Sequence, residues 1–296
     1  MISRQAFVEE RAPLSRFTTI GTGGPARFLA RPASMGELEE LLGRAAAEEL
    51  PVETVGLGSN LLVADEGFDG LVVKLVGELA AVHVEGETLV AGGGAANAVC
   101  LHRARAAGLG GFEFAAAIPG TAGGGVRMNA GAYGSDWRAA MIDALVVGVD
   151  GSRTVTAEEL GLTYRRSNLE PGEVVARVRF RLIPRPREEI KAQVTELLAR
   201  RKATQPTTKR TFGSVFKNPD GGGAGRMIEE CGLKGHRIGG AVISGRHANF
   251  IENGGGATSA DAISLMTEAR RRVLDRFGVE LEHEVRLLGP IELPAL

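Results

Sequence analysis

The chain has 296 residues, of which 35 are basic, 36 are acidic and 42 are glycine, and its formal net charge is −1. This length allows two or three domains with a buried core, and the balanced charge excludes a general electrostatic attraction to nucleic acid or to a membrane surface. The glycine content is about twice the usual share and follows no three-residue period, which predicts many tight turns and ligand-binding loops.

The beginning of the chain predicts a helix, a strand and a glycine-rich loop, in that order. A capping box formed by Ser34 and Glu37 opens the helix, which ends before Pro51. A strand at residues 52–55 then leads into residues 56–63, which have the sequence GLGSNLLV.

The middle of the chain predicts short strands, one longer helix and a second glycine-rich segment. Gly108 ends the longer helix, and a second capping box, Thr156 with Glu159, opens a short helix. In chain order the patterns predict strands at 71–75, 81–84 and 88–91, a helix at 95–107, the segment IPGTAGGG at 118–125, a hairpin from 142 to 156 around Asp150 and Gly151, and a strand at 173–183.

Pro184 and Pro186 mark the clearest linker, because prolines two residues apart discourage both helix and sheet pairing. Beyond them the patterns predict helices at 187–202, 224–231 and 259–277, the last stopped by Gly278, and strands at 241–244, 248–252 and 279–288. This mixture predicts an α+β protein with a domain boundary at the linker.

The two glycine-rich segments each follow an apolar run and together predict a site for one extended anionic ligand. Consecutive backbone N–H groups in glycine turns form concave anion sites, which suit a diphosphate. Neither segment ends in the Lys-Ser/Thr of a nucleotide-triphosphate loop, and Leu61 stands where a G-x-G-x-x-G motif requires its third glycine. The interpretation is a dinucleotide held in another fold, and the alternative is two ordinary turns.

Two further segments carry side chains suited to chemistry. Residues 211–219 combine Ser214, Lys217 and Asn218 between glycine-containing turns, and Tyr164 with Arg165 places a phenol beside a guanidinium suited to a carboxylate or phosphate. Taken singly, the serine is better explained as an ordinary turn residue, and the arginine is a weak signal because surface arginines are common.

The cysteines and histidines predict no disulfide and no metal site. Cys100 and Cys231 lie in apolar helical contexts, which is typical of buried free thiols in a reducing compartment. The 5 histidines lack metal-ligand spacing, and His247 is interpreted as a core histidine. With no leader and no run of about 18 apolar residues, a soluble cytoplasmic protein is expected.

Taken in order, these motifs resemble those of the UDP-N-acetylenolpyruvoylglucosamine reductases, flavoenzymes that complete UDP-N-acetylmuramate for peptidoglycan. The resemblance spans nearly the whole chain. The segments that carry it are TTIGTGG at 18–24, GLGSNLLV at 56–63 with DEGF at 65–68, IPGTAGGGVRMNAGAYG at 118–134, YRRS at 164–167, GSVFKNP at 213–219, HANFI at 247–251 and EHEVR at 282–286.

The resemblance implies an α+β, vanillyl-alcohol-oxidase-type FAD-binding fold with FAD-binding subdomains at 1–75 and 76–185 and a substrate-binding domain at 186–296. It implies non-covalent FAD and NADPH as cofactors and UDP-N-acetylglucosamine enolpyruvate as substrate. The direct run from the strand at 173–183 into the linker resembles the family's second type, which lacks a substrate-covering tyrosine loop. A monomer is expected, because no long heptad pattern is present.

The resemblance also implies roles for individual residues. The implied catalytic residues are Arg165, Ser214 and Glu284. The implied substrate contacts are Tyr164, Lys202, Lys217 and Asn218, of which Lys202 is placed only by its distance from Ser214. The implied FAD contacts are Gly56, Gly58, Ser59, Asn60, Leu61, Pro119, Gly120, Thr121, Gly123, Gly124 and Asn129.

In the implied mechanism NADPH gives a hydride to FAD, and the reduced flavin gives a hydride to C3 of the enolpyruvyl group. Charge then develops at C2 and in the carboxylate, which calls for a cation or acid near the carboxylate and a proton donor facing C2. Arg165 and Glu284 match the family's carboxylate-side pair, and Ser214 matches its proton donor.

Two other functions remain open on the sequence. One is a flavin oxidase or dehydrogenase of the same fold that acts on hydroxy acids or alcohols, which would consume oxygen without oxidising NADPH. The other is a catalytically silent protein that binds a nucleotide sugar.

Overall fold

The computed structural model describes residues 2–296, along which helices and strands alternate in an α+β fold. The helices are α1 Met35–Ala47, α2 Asn97–Ala106, α3 Ala122–Arg127, α4 Trp137–Ala140, α5 Arg187–Thr204, α6 Ala224–Glu230 and α7 Ser259–Phe277. Among these described residues, no helix is both long enough and apolar enough to cross a bilayer.

The strands are mostly short. They are β1 Val8–Pro13, β2 Pro25–Ala30, β3 Val52–Thr54, β4 Leu61–Val63, β5 Phe68–Val73, β6 Val82–Glu85, β7 Thr88–Gly92, β8 Leu109–Gly110, β9 Gly131–Ala132, β10 Ser135–Asp136, β11 Met141–Gly148, β12 Gly151–Thr156, β13 Val174–Arg181, β14 Ile183–Pro184, β15 Thr211–Ser214, β16 Arg237–Ile238, β17 Ala241–Ile243, β18 Phe250–Asn253 and β19 Arg286–Leu288.

Helix boundaries agree closely with local capping signals. The Ser34 hydroxyl accepts a hydrogen bond from the Glu37 backbone N–H at 3.3 Å at the start of α1. Helix α7 begins and ends as predicted, after Thr258 and before Gly278, which adopts φ 66°. Such signals act within a few residues, so they are legible in the sequence.

The helix predicted after Thr156 is wrong. The reciprocal hydrogen bonds of the capping box are present, because the Thr156 N–H donates to Glu159 Oε2 at 2.7 Å and the Glu159 N–H donates to Thr156 Oγ1 at 3.3 Å. The following residues nevertheless form turns. Gly161 at φ 55° ends the first turn before a helix can propagate, and an isolated turn is costly to extend.

The last strand is shorter than predicted, since it covers only Arg286–Leu288 instead of residues 279–288. The alternation was partly informative, because Leu281 and Val285 are buried. However, the Leu281 carbonyl accepts a hydrogen bond from Arg270 Nε at 3.1 Å, so it is not available to a neighbouring strand. A side chain from α7 thus replaces part of the strand ladder.

The chain forms two compact units. The first contains the residues up to Glu10 together with Phe28–Leu57 and Asp69–Arg200, and the second contains Arg11–Arg27, Gly58–Phe68 and Arg201–Leu296. The segments alternate between the units, so neither unit is a continuous stretch of sequence.

Sheets organise both units. In the first, β12-β11-β13-β7-β6 form an antiparallel five-stranded sheet. A four-stranded sheet has the order β1-β2-β5-β3, in which β3 lies parallel to β5. In the second, β15-β18-β17-β16 form an antiparallel sheet, and β19 pairs in parallel with β4.

The buried hydrophobic residues in the described part of the chain form three clusters, two in the first unit and one in the second. One cluster is aromatic at its centre, where Phe112, Trp137 and Phe180 are buried with ring centroids 4.8–6.0 Å apart. Edge-on packing of this kind is favourable beyond the area it buries. These cores fix the helices and strands whose ends carry the loops described next.

Candidate cofactor-binding and catalytic residues

The first glycine-rich segment begins at the carboxyl end of β3, inside the first unit. The Val55 N–H donates to the Val73 carbonyl at 2.9 Å, which extends the pairing of β3 with β5. A Cβ atom on Gly56 would lie 2.6 Å from Thr121 Oγ1. The two glycine-rich segments predicted from the sequence are therefore in contact at this point, and only glycine permits so close an approach.

A lysine that the sequence analysis did not single out anchors this turn. Lys74 directly follows β5 and donates from Nζ to the Gly56 carbonyl at 2.7 Å. The ammonium is half-buried, and burial lowers the pKa of Lys74, with the Arg31 cation acting in the same direction. A lysine immediately after a buried apolar strand is the signal that would have pointed to it.

The second glycine-rich segment lies against residues 93–97 in the same unit. The Asn97 N–H donates to the Gly120 carbonyl at 3.0 Å, and the Gly123 N–H donates to the Gly93 carbonyl at 2.8 Å. Thr121 is buried and caps α3, where its Oγ1 accepts from the Gly124 N–H at 3.4 Å. Pro119 and Gly124 are exposed on this segment.

Asn129, an implied cofactor contact, is fully buried and uses its side chain within the protein. Its Nδ2 donates to Asp136 Oδ2 at 3.1 Å and to the Thr163 carbonyl at 2.9 Å, while its Oδ1 accepts from the Arg138 N–H at 2.9 Å. This amide therefore fixes the backbone just before Tyr164.

Tyr164 and Arg165 lie on a tight turn of the first unit. Arg165 has φ 55°, an uncommon value for a side-chain-bearing residue, and its Nη2 donates to the Gly131 carbonyl at 3.0 Å. Its guanidinium lies 4.9 Å from the centroid of the Tyr164 ring. Backbone strain of this kind persists where surrounding contacts hold it, and it is common at functional sites.

The second unit brings Ser214 close to the remainder of the first glycine-rich segment. Gly58 has φ 64°, and a Cβ there would lie 1.9 Å from the Phe17 carbonyl oxygen. Ser214 ends β15 and is half-buried. Its neighbour Gly213 would, with a Cβ, come within 3.0 Å of the Ser59 carbonyl oxygen.

Glu284 reaches the same place from the other end of the chain. Its N–H donates to the Val215 carbonyl at 2.8 Å, and Asn60 Nδ2 donates to the Glu284 carbonyl at 3.1 Å. Leu61 continues the contact by pairing with Arg286. Residues 59–61, 213–215 and 284–286 thus form one group within the second unit.

Asn249 stabilises this group and was not predicted to do so. It is buried, accepts at Oδ1 from the Phe216 N–H at 2.9 Å and donates from Nδ2 to the Phe216 carbonyl at 2.8 Å. The Asn249 N–H donates to His247 Nδ1 at 3.2 Å. His247 is only partly buried, so its interpretation as a core histidine is confirmed only in that its Nδ1 has a partner within the protein. Through Asn249 it braces the loop that carries Ser214.

The implied substrate contacts of the second unit occupy different settings. Lys217 Nζ forms an ion pair with Glu282 Oε1 at 2.5 Å, and Asn218 Oδ1 accepts from the Ala224 N–H at 3.1 Å. Lys202 is exposed in the last turn of α5, and its carbonyl accepts from Arg246 Nη1 at 2.7 Å.

The thiols match the sequence prediction only for Cys100. Cys100 and Cys231 are both free, and burial raises the pKa of the Cys100 thiol to about 12. Cys231, however, is only partly buried, because it follows the end of α6 instead of lying within the helix. In residues 2–296 no group of three or more His, Cys, Asp or Glu side chains could hold a metal ion.

Comparison with known proteins adds independent information. Residues 26–157 match the model of an FAD binding domain, and residues 205–288 match that of the UDP-N-acetylenolpyruvoylglucosamine reductase C-terminal domain. The chain is 46% identical over 284 residues to UDP-N-acetylenolpyruvoylglucosamine reductase 2 of Symbiobacterium thermophilum, covering 95% of this chain and 92% of the relative.

Two further comparisons agree. The chain is 46% identical over 288 residues to the UDP-N-acetylenolpyruvoylglucosamine reductase of Anaeromyxobacter dehalogenans, covering 96% of this chain and 88% of that protein. The crystal structure of the corresponding reductase from Thermus caldophilus superposes with a TM-score of 0.84 at 40% identity, covering 95% of this chain and all of that one.

Proposed function

The chain belongs to the UDP-N-acetylenolpyruvoylglucosamine reductase family, and from that premise we propose which of its residues carry the reaction. It is an FAD-containing oxidoreductase of peptidoglycan precursor synthesis that uses NADPH to reduce UDP-N-acetylglucosamine enolpyruvate to UDP-N-acetylmuramate. The observation that carries this conclusion is identity of 46% to a reductase of this name over 95% of the chain. The flavin oxidase alternative is not favoured by any of the relatives described above.

The residues at the glycine-rich segments fit FAD. A diphosphate needs hydrogen-bond donors and no intruding side chains. Gly56 has no side chain where it lies against Thr121, so its backbone is bare there. The hydroxyl groups on the ribityl chain of FAD also need hydrogen-bond acceptors. Asn97 is buried, and its Oδ1 has no hydrogen-bond partner among residues 2–296, while its Nδ2 donates to the Ile118 carbonyl at 3.0 Å.

We assign the FAD contacts at these segments as implied by the sequence. They are Gly56, Gly58, Ser59, Asn60, Leu61, Pro119, Gly120, Thr121, Gly123, Gly124 and Asn129. Since the Asn129 amide is occupied internally, its contribution is to hold the backbone of residues 129–138 in place.

Bound FAD supplies the hydride chemistry, from NADPH to C3 of the enolpyruvyl group. Ser214 donates a proton from Oγ to C2, where the negative charge develops. A serine hydroxyl is a weak acid, but an enolate-like carbanion is a strong base, so a well-placed hydroxyl suffices. The setting of Ser214 supports this role, because the Val215 carbonyl beside it accepts from the Glu284 N–H, and Gly213 on its other side lies close to the Ser59 carbonyl.

Arg165 and Glu284 act on the carboxylate side of the substrate. A guanidinium stabilises the charge that enters the carboxylate as C3 accepts the hydride. The turn conformation of Arg165 at φ 55° and its bond to the Gly131 carbonyl support a fixed position for that group. Tyr164, Lys202, Lys217 and Asn218 complete the proposal as contacts to the UDP-sugar.

We propose a division into three domains, with FAD-binding subdomains at 1–75 and 76–185 and a substrate-binding domain at 186–296. Support comes from the three hydrophobic clusters, whose members fall mainly into these three ranges. Among the buried members, Ile20 and Leu62 are exceptions that contribute to the cluster of the C-terminal range. Four more exceptions contribute to the cluster of the N-terminal range, namely Leu79, Val147, Val174 and Ala176. We further propose a cytoplasmic monomer, in keeping with two free thiols.

The decisive experiment is anaerobic and has two steps. The purified yellow protein is mixed with NADPH until the flavin absorbance bleaches, and UDP-N-acetylglucosamine enolpyruvate is then added. Return of the flavin absorbance on the second addition is the expected result. Bleaching without recovery on that addition would contradict the proposed function. No bleaching by NADPH, with oxygen consumed in the presence of a hydroxy acid or an alcohol, would favour the oxidase.

A further inference from the structure

Lys74 occupies an unusual position for a lysine. It follows the buried residues Leu71, Val72 and Val73 of β5, which are each 0% exposed, and its ammonium donates to the Gly56 carbonyl at 2.7 Å. Lys74 is itself half-buried, and removing part of an ammonium group from water is costly. The position therefore calls for a benefit that offsets this cost.

The hydrogen bond sets the direction of one peptide group. The structure contains no cis peptide among its described residues, so the N–H of Leu57 points away from the Gly56 carbonyl that it follows. With that carbonyl turned toward Lys74, the Leu57 N–H faces the opposite side. Gly56 is held from a second direction by Thr121, which lies within 2.6 Å of a Cβ built there.

The surroundings of Lys74 also disfavour its positive charge. Burial lowers the pKa of Lys74, and the Arg31 cation lowers it further, although Arg31 is itself paired with Glu9 Oε2 at 3.1 Å. The Lys74 ammonium at the Gly56 carbonyl, with the Arg31 cation near Lys74, makes the back of this turn electropositive. An anion on the other side of the turn would relieve the cost of holding them there.

We propose that Lys74 is a positioning residue for the FAD diphosphate: it orients the peptide between Gly56 and Leu57 so that the N–H faces a phosphate, and it adds a positive charge behind that peptide. This inference rests on the proposed function only in that it needs FAD to bind. The same chemistry suits the diphosphate of the UDP-sugar, and the measurements below separate the two sources.

The test uses flavin release from the full-length holoenzyme, read as the rise in flavin fluorescence on dilution, together with the KM for the UDP-sugar at saturating FAD. The variants are Lys74→Met, which removes the donor and the charge, and Lys74→Arg, which keeps both. Lys191→Met is the matched control, because Lys191 is exposed on α5 in an ion pair with Glu188.

The expected result for Lys74→Met is a dissociation constant for FAD raised at least about tenfold, with kcat at saturating FAD changed less than about threefold. The FAD dissociation constant of Lys74→Met should depend less steeply on salt concentration than that of the wild type, because one cation near a phosphate is lost. Lys74→Arg should recover most of the affinity and the salt dependence, and Lys191→Met should match the wild type.

Three outcomes would overturn the proposal. An unchanged FAD dissociation constant in Lys74→Met would contradict the proposal. If the KM for the UDP-sugar is raised at the same time, Lys74 acts on the diphosphate of the UDP-sugar instead. Equal weakening in Lys74→Met and Lys74→Arg with an unaltered salt dependence reduces Lys74 to a packing role. If Lys74→Met does not fold, Lys74→Arg and Lys74→Gln decide by the same readout. Flavin release is measured without turnover, so failure here is distinct from failure of the reductase reaction.

Discussion

At the scale of single residues, the functional atoms are held by backbone contacts made by their neighbours. Ser214 is positioned because Gly213 approaches Ser59 and because the Val215 carbonyl accepts from Glu284. The side chain that does the chemistry is thus left available while its flanking peptides are fixed. Mutations of the hydroxyl alone should therefore separate chemistry from folding.

Replacement of Ser214 by alanine tests that separation. We expect turnover to fall by about 10²–10⁴-fold, the usual contribution of a general acid, while the rate of flavin reduction by NADPH stays within about twofold. Stopped-flow absorbance of the two half-reactions measures both. Ser264→Ala is the control, because the Ser264 hydroxyl only bonds the Ala260 carbonyl on an exposed helix face. Equal loss in both half-reactions would contradict the assigned role.

Gly56 is a residue whose replacement has a steric consequence. In Gly56→Ala the new Cβ would lie 2.6 Å from Thr121 Oγ1, so the two glycine-rich segments must separate. We expect FAD affinity to fall at least about tenfold. Gly43→Ala is the control, since no atom lies within 4 Å of its Cβ position, and alanine inside α1 should stabilise the protein by about 0.5–1 kcal/mol. Fluorescence titration of released flavin measures the difference.

The setting of His247 predicts that acid destabilises the loop that carries Ser214. Burial, assisted by the Lys234 charge, lowers the pKa of His247. Its Nδ1 accepts from the Asn249 N–H, which a doubly protonated ring cannot do. The unfolded chain then binds a proton more readily than the folded one, so stability is complete above about pH 6.5 and declines as the pH falls below it toward the lowered folded value.

Melting temperatures between pH 8 and pH 5 measure this effect. We expect His247→Gln to melt with a smaller loss on acidification than the wild type, even if its stability at pH 8 is lower. His83→Gln is the control, because the His83 ring is exposed beside Glu85. The same pH dependence in His247→Gln as in the wild type would show that another group governs the acid response.

At the scale of elements, local signals predict where helices begin and end, and they fail where a tertiary contact intervenes. Helix α7 has the predicted limits because Thr258 and Gly278 act within one turn of its ends. The strand predicted at 279–288 is shortened, and Arg270, a residue of α7, bonds the Leu281 carbonyl in place of a strand partner. No pattern within the strand itself reveals that competitor.

The N-terminus of α7 also shows how two distant segments share one element. Thr258 and Asp261 form a capping box, and Asp65 accepts from the Ser259 N–H at 2.9 Å and from the Ala260 N–H at 3.0 Å. We expect Thr258→Ala to lower the free energy of unfolding by about 1 kcal/mol. Chemical denaturation measures it. Thr267→Ala within α7 is the control, since that hydroxyl only bonds the Ile263 carbonyl, and it should change stability by less than about 0.5 kcal/mol.

At the scale of the whole molecule, stability is coupled to the cofactor. The glycines of the second segment have no side chain to bury, so this part depends on backbone contacts such as those of Gly120 and Gly123 with residues 93–97. Occupation of these segments by a ligand should favour the folded state, because a ligand that binds only that state stabilises it by mass action.

Removal of FAD should therefore lower the melting temperature. At a free FAD concentration about 100 times the dissociation constant, the gain is about 2.7 kcal/mol, which corresponds to roughly 4 °C for a chain of this size. Scanning fluorimetry of the flavin-free protein with increasing FAD measures it. FMN, which lacks the adenosine monophosphate portion and so carries one phosphate instead of a diphosphate, should give a smaller shift at equal concentration, and an equal shift would argue against diphosphate recognition.

The sequence by itself determined the α+β class, the capped helices, the chemical character of the two glycine-rich segments and the family. These depend on residues close together in the chain or on motifs read in order. The tertiary structure alone decided that Gly56 touches Thr121, that Lys74 anchors the Gly56 carbonyl and that residues 213–215 meet Glu284. Each of these contacts joins segments far apart in sequence, and no local propensity encodes them, because they arise from how strands and cores pack.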